Sequence, residues 1–181
     1  MIRPEFRKIL LDQRGAAVIL WSFFVISIPI YIVIARNYLG DSNTAARPSF
    51  ADPARIFLWL LALVDLGYYA YWKKRHFTPD AILESAKKTK LFRALAEYKG
   101  EVEERAAFAV STYVTRKVVV FAIIEAIAVY GFVLALIGRF MSDQYLLSAL
   151  SVALLVIEFP SEKSFNTVLQ AAERGAAGNA S

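Results

Sequence analysis

The stretch VVVFAIIEAIAVYGFVLALIGRF, residues 118–140, is apolar except for the carboxyl group of Glu125 and the guanidinium of Arg139. A helix needs about 20 apolar residues to cross a hydrocarbon layer roughly 30 Å thick. Residues 118–138 meet this requirement and predict a transmembrane helix. An ionisable side chain inside a bilayer is costly unless it is protonated, paired or hydrated. Glu125 is therefore the first candidate for a functional residue.

Three further apolar runs accompany this stretch: residues 15–35, residues 56–72 with Asp65 inside them, and residues 144–159 with Glu158 near their end. The chain is 57% hydrophobic and 20% charged, whereas soluble domains are about 45–50% apolar and about 25% charged. We therefore expect an all-α fold, an integral membrane four-helix bundle made of two transmembrane hairpins with a helical cytoplasmic loop.

The expected organisation has five parts in chain order. They are a cytoplasmic amphipathic N-terminus (1–14), a first transmembrane hairpin (15–72), a cytoplasmic helical segment (73–115), a second transmembrane hairpin (116–160) and a cytoplasmic tail (161–181). In the tail we expect one short helix, over residues 161–174.

Two cytoplasmic segments carry helical patterns. Near the N-terminus, Ile2, Phe6 and Leu10 recur at helical spacing, which is typical either of a helix lying on the inner membrane surface or of an ordinary cytoplasmic lead-in. Thr78 followed by proline predicts the start of a second helix. Its apolar stripe comprises Ile82, Leu83, Ala86, Leu91, Leu95 and Tyr98, and it should end at Gly100. Nothing interrupts the helical pattern over residues 101–138, so the third span should extend into the cytoplasm.

Basic residues are concentrated before the first run, between the second and third runs, and after the fourth. Of the 21 Lys and Arg residues, only Arg36, Arg47, Arg55 and Arg139 lie elsewhere. Because Lys and Arg are retained on the cytoplasmic side during insertion, we expect a multi-pass protein of the prokaryotic inner (plasma) membrane with both termini in the cytoplasm. The net charge of +5 is then a signal of topology, with the lipid bilayer and no nucleic acid as partner.

Few residues are suited to catalysis or to cofactor binding. The chain has no cysteine, which excludes disulfides and thiolate metal sites, and its one histidine, His76, cannot build a two-histidine haem site. Phosphate-binding glycine loops, nucleophile elbows and dinucleotide fingerprints are also missing from the sequence. We therefore expect neither a cofactor nor an enzyme, and a membrane enzyme acting on lipid is the weakest hypothesis.

Asp65 and Glu125 each lie seven residues from the charged cytoplasmic end of their apolar run. At about 1.5 Å per residue, both carboxyl groups are expected roughly 10 Å inside the inner boundary, where they would share a proton or flank a hydrated cavity if their helices are neighbours. Tyr68 and Tyr69 follow Asp65 by three and four residues and are potential hydrogen-bond donors to it. The acids either carry a proton or a cation, or are structural groups bonded to neighbouring helices.

Small residues share the third span with Glu125, among them Ala128, Gly131 and Ala135. Gly131 and Ala135 are four residues apart, the spacing at which small side chains let two membrane helices approach closely. This helix is therefore predicted to pack inside a bundle or an oligomer.

The 17 residues AIIEAIAVYGFVLALIG, 122–138, resemble the carboxylate helix of the rotor-ring proteolipid (c or K) subunits of rotary ATPases. In those subunits a Glu or Asp followed by small and apolar residues, often with a Tyr-Gly pair, precedes an apolar run. The resemblance implies that Glu125 would correspond to the carboxylate that carries a proton or a sodium ion.

Two functional hypotheses follow from the sequence. The first is a non-enzymatic subunit or assembly component of a membrane complex, which forms homo- or hetero-oligomers. The second is a proton- or cation-translocating component that uses Glu125 together with Asp65.

Overall fold

The computed structural model describes residues 2–40, 48–84 and 101–177. These ranges contain six helices and no strand. The helices are α1 (Pro4–Leu39), α2 (Ala51–His76), α3 (Pro79–Glu84), α4 (Glu101–Gly138), α5 (Met141–Ile157) and α6 (Glu162–Ala177). The predicted tail helix is therefore present as α6.

Three helices, α1, α2 and α4, are long and apolar enough to cross a membrane. The expectation of an all-helical, membrane-embedded protein is confirmed to that extent. The 17 residues of α5 rise about 25 Å and fall short of the hydrocarbon thickness. By length and composition, the number of candidate spans reaches four when α5 and α6, which meet at an angle of 48°, are counted together as one broken span.

Local chemistry explains where several helices begin and end. Asp52 and Pro53 lie in the first turn of α2, where the backbone N–H groups have no partner within the helix. A carboxylate is favourable beside these groups, and the missing N–H of proline costs no helical hydrogen bond there. At the end of α4, Arg139 adopts a left-handed conformation with φ of 57°. A Cβ atom on Gly138 would lie 2.1 Å from the ring of Phe140. Any larger residue at Gly138 would therefore require the ring of Phe140 to move.

The predicted long helix over residues 101–138 is confirmed, since α4 runs for 38 residues. The predicted helix after Thr78 is present as α3, and the Oγ atom of Thr78 accepts a hydrogen bond from the backbone N–H of Ala81 at 3.4 Å. The remainder of that prediction, from Ala86 to Gly100, lies outside the described residues.

The chain divides into two compact units. The terminal unit comprises Met1–Leu20, Trp72–Val119 and Pro160–Ser181, and the apolar unit comprises Trp21–Tyr71 and Val120–Phe159. Both units draw residues from α1, α2 and α4, so each contains segments that are distant along the chain.

A hydrophobic core holds the terminal unit together. Phe6 from α1 and Phe165 from α6 are fully buried, and Tyr113 from α4 meets the ring of Phe165 edge-on with 5.2 Å between the ring centres. Ile2 and Leu10 belong to the same core. The apolar face of the N-terminal segment is thus covered by protein, which contradicts its interpretation as a helix lying on the membrane surface.

Polar contacts accompany this core. Arg3 donates two hydrogen bonds to the carboxylate of Glu103, from Nε at 2.7 Å and from Nη2 at 2.6 Å, and the side chain of Glu103 is almost fully buried. Arg116 donates to the carbonyl oxygens of His76 and Ala81. Because the last carbonyls of a helix lack N–H partners, Arg116 caps the end of α2.

The core predicts that Phe6→Ala destabilises the terminal unit. Removing a fully buried phenylalanine side chain costs about 3–5 kcal/mol of unfolding free energy. Phe23→Ala is the matched control, because Phe23 is 68% exposed. Limited proteolysis of the full chain in detergent measures both variants, and equal protection of the two would contradict the packing described for Phe6.

Candidate functional site

Glu125 accepts hydrogen bonds from hydroxyl groups of α1. The hydroxyl of Tyr31 donates to Glu125 Oε1 at 2.7 Å, and Ser27 Oγ lies 2.7 Å from the same oxygen. Ser27 and Tyr31 are four residues apart and therefore lie on one face of α1. The ring of Tyr31 stacks on Phe132 of α4, with 5.3 Å between ring centres, which fixes the direction of its hydroxyl.

Asp65 is held by a different tyrosine. The hydroxyl of Tyr130, on α4, donates to Asp65 Oδ2 at 2.8 Å. Asp65 and Glu125 thus contact different helices, and within the described ranges no hydrogen bond joins the two carboxylates. The hypothesis that they share a proton has no direct contact to support it.

The sequence places Tyr68 and Tyr69 on the same face of α2 as Asp65. Tyr69 instead donates to Glu158 Oε1 at 2.6 Å. Tyr68 is 43% exposed.

Sequence reasoning missed Glu158, which looks like a solvated residue beside Pro160 yet is only 3% exposed. Its burial depends on packing between α2 and the end of α5, for which the local sequence gives no signal.

Each of these three acid–tyrosine contacts joins two helices. Tyr31 and Glu125 join α1 to α4, Tyr130 and Asp65 join α4 to α2, and Tyr69 and Glu158 join α2 to the end of α5. Two further hydrogen bonds join α5 to other helices, and in each a backbone carbonyl oxygen is the acceptor. Trp21 of α1 donates to the carbonyl of Leu155 at 2.8 Å, and Ser151 donates to the carbonyl of Ile124 at 2.9 Å.

An ion pair adds a further contact between α2 and α5. Arg55 donates to both carboxylate oxygens of Asp143, from Nε at 2.6 Å and from Nη2 at 2.9 Å, and its guanidinium lies 4.8 Å from the ring centre of Phe140. Two parallel N–H···O bonds fix the geometry of such a pair. The pair was not predicted, because each partner alone looks like an ordinary charged residue at the end of a span.

The small residues of α4 face protein. A Cβ atom on Gly131 would lie 3.0 Å from the Cα of Gln144 and 3.1 Å from the Cβ of Leu147, so α4 and α5 approach closely at this glycine. Ala128 and Ala135 are fully buried. The same face of α5 carries two buried polar side chains, Gln144 and Ser148, whose amide and hydroxyl atoms have no hydrogen-bond partner among the described residues.

The geometry limits the chemistry that these residues can perform. In residues 2–40, 48–84 and 101–177, no three His, Cys, Asp or Glu side chains converge as they would to hold a metal ion. The carboxylates act as hydrogen-bond acceptors for hydroxyl groups on neighbouring helices. This arrangement favours helix association, because interhelical hydrogen bonds inside membranes are worth about 0.6 kcal/mol on average.

Tyr31→Phe is expected to lower the unfolding free energy by about 0.6 kcal/mol, and by no more than about 1.7 kcal/mol, because it removes one interhelical hydrogen bond and keeps the ring. Unfolding of the purified protein in mixed micelles of increasing SDS content measures the loss. Tyr145→Phe is the control, since Tyr145 is 47% exposed and its hydroxyl bonds to no described residue. A loss no larger than that of the control would count against the contact with Glu125.

Comparison with known proteins gives no relative: the chain matches no protein-family model, no curated protein and no solved structure.

Proposed function

We propose that the chain is a small, non-enzymatic, multi-pass component of the inner (plasma) membrane that assembles with itself or with partner proteins. In this proposal α1, α2, α4 and α5 form a four-helix bundle of two transmembrane hairpins, and the bilayer thins around the 17 residues of α5, as it does around other short spans. The contacts of α5 support the bundle, because Trp21 bonds it to α1, Arg55 to α2 and Ser151 to α4.

One observation carries the proposal. Four carboxylates of the apolar unit accept a hydrogen bond from a side chain of another helix, so these acids are used to join helices; they are those of Glu125, Asp65, Glu158 and Asp143. Among the described residues they do not surround a shared site at which a substrate would react. Carboxylates that join helices are what we expect of a structural component.

The distribution of charge supports the proposed topology. The terminal unit contains every basic residue of the chain except Arg36, Arg47, Arg55 and Arg139. Because positively charged segments stay in the cytoplasm, the three segments of the terminal unit are cytoplasmic in this proposal, and so are both chain ends.

The topology is testable with single cysteines, because the natural chain has none. Asn37→Cys, in an exposed position at the end of α1, should react with a membrane-impermeant maleimide in intact spheroplasts. Lys8→Cys and Lys163→Cys should react only after the membrane is opened. Labelling of Lys8→Cys and Lys163→Cys from opposite sides would contradict the proposed arrangement.

A second candidate function is proton or cation translocation that uses Glu125 together with Asp65. The favouring observation is that two hydroxyl oxygens, of Ser27 and Tyr31, lie at one carboxylate oxygen of Glu125. A hydroxyl group can act as a donor or as an acceptor. The cluster is therefore able to stabilise a charged carboxylate or to contribute oxygen ligands to a bound cation.

A transport assay separates the two candidates. The purified chain is placed in liposomes that contain a pH-sensitive dye, and a potassium gradient with valinomycin sets the membrane potential. The structural proposal predicts a proton flux equal to that of empty liposomes, because the acids are engaged in joining helices. Repeating the assay in sodium and potassium buffers extends it to cations.

Glu125→Gln keeps an acceptor oxygen for Tyr31 and should leave folding intact, and Glu162→Gln is the control because that carboxylate is 62% exposed. A flux that Glu125→Gln abolishes and Glu162→Gln leaves unchanged would establish translocation and reject the purely structural role.

A further inference from the structure

The surface of α2 carries a groove near the start of the helix. Its volume is about 360 Å³, and the described residues that line it are Arg55, Ile56, Trp59, Leu60 and Leu63. They follow one face of α2, because residues three and four apart in a helix are neighbours. The groove therefore has one charged residue at the end nearest the start of α2 and apolar side chains beyond it.

Arg55 keeps hydrogen-bond donors that Asp143 does not use. A guanidinium has five N–H donors, and Asp143 accepts from Nε and Nη2 of Arg55. The Nη1 group donates to no described residue, and the side chain of Arg55 is 48% exposed. A ligand in the groove can therefore accept hydrogen bonds from Arg55 while the ion pair with Asp143 stays intact.

The order of side chains along α2 matches an amphiphile that lies beside the helix. Leu63 is eight residues beyond Arg55, which is about 12 Å along the helix axis. Trp59 lies between them, and tryptophan is enriched at the boundary between hydrocarbon and water. With α2 across the membrane, Arg55 is at the level of the lipid headgroups, and Leu60 and Leu63 are at the level of the acyl chains.

Two carboxylates determine which headgroup charge suits the polar end of the groove. Asp143 is paired with Arg55, and Asp52 is exposed one turn before Arg55 on α2. Because two carboxylates accompany one guanidinium, a headgroup with a net negative charge would be repelled. A headgroup in which a phosphate carries an ammonium group avoids this repulsion, since its phosphate meets Arg55 and its ammonium meets Asp52.

We propose that this groove binds one phosphatidylethanolamine molecule of the non-cytoplasmic leaflet. The phosphate accepts hydrogen bonds from Arg55 Nη1, and the ammonium pairs with the carboxylate of Asp52. An acyl chain lies against Leu60 and Leu63. A primary ammonium donates hydrogen bonds, which the trimethylated ammonium of phosphatidylcholine cannot do. The inference rests on the topology of α2 in the proposed function and is independent of assembly with other chains.

Native mass spectrometry of the full chain tests the inference. The purified protein in detergent is mixed with equal amounts of phosphatidylethanolamine, phosphatidylcholine and phosphatidylglycerol that carry the same acyl chains. Leu60→Trp fills the groove and should remove bound phosphatidylethanolamine. Val64→Trp is the matched control and should keep this lipid, because Val64 is an exposed apolar residue of α2 outside the groove.

A second variant tests the recognition of the headgroup. Asp52→Asn removes the carboxylate that pairs with the ammonium. It should lower the amount of bound phosphatidylethanolamine about two- to fivefold, the factor that corresponds to one exposed ion pair. Asp12→Asn, which changes an exposed acid of the terminal unit, should leave the amount unchanged.

Three results would overturn the inference. The first is an equal amount of bound phosphatidylethanolamine in Leu60→Trp and Val64→Trp. The second is an amount of bound phosphatidylethanolamine that Asp52→Asn does not lower. The third is a loss of phosphatidylglycerol or phosphatidylcholine, and not of phosphatidylethanolamine, on Leu60→Trp. The proposed function is rejected by a different result, because a proton flux that Glu125→Gln abolishes would reject the structural role and leave the lipid site standing.

Discussion

The structure depends on one constraint, which is that an ionisable group surrounded by apolar residues and lipid must find its partner within the protein. The contact of Tyr31 with Glu125 shows how this chain meets it. The tyrosine supplies an apolar ring that packs on Phe132 and a hydroxyl that the carboxylate accepts. The same solution recurs at Asp65 and Glu158, each time with a tyrosine from another helix.

The acid–tyrosine contacts of the apolar unit help to determine which of its helices pack together. Lipid tails are as apolar as leucine, so hydrophobic burial contributes little to helix association inside a membrane. Close packing and interhelical hydrogen bonds must contribute instead. The approach of α4 to α5 at Gly131 supplies the close packing, and the acid–tyrosine contacts supply the interhelical hydrogen bonds. The terminal unit differs, because a conventional core around Phe6 and Phe165 holds it together.

The sequence predicts the helices well and their partners poorly. Hydropathy identifies the long apolar helices, because a run of about 20 apolar residues is a property of the local sequence. Which side chain meets Asp65 depends on the rotation of neighbouring helices. Reasoning within α2 therefore favoured Tyr68 and Tyr69 and could not identify Tyr130 of α4, which donates to Asp65. A signal was available, because a tyrosine hydroxyl within an apolar stretch usually has a partner.

The central claim is that carboxylates of the apolar unit join helices, and a double-mutant cycle on Tyr130→Phe and Asp65→Ala tests it most directly. SDS unfolding of the four proteins gives the coupling energy between the two side chains. The account predicts a stabilising coupling of about 0.6 kcal/mol, and up to about 1.7 kcal/mol. A coupling of zero would mean that the two side chains act independently, which would contradict the account.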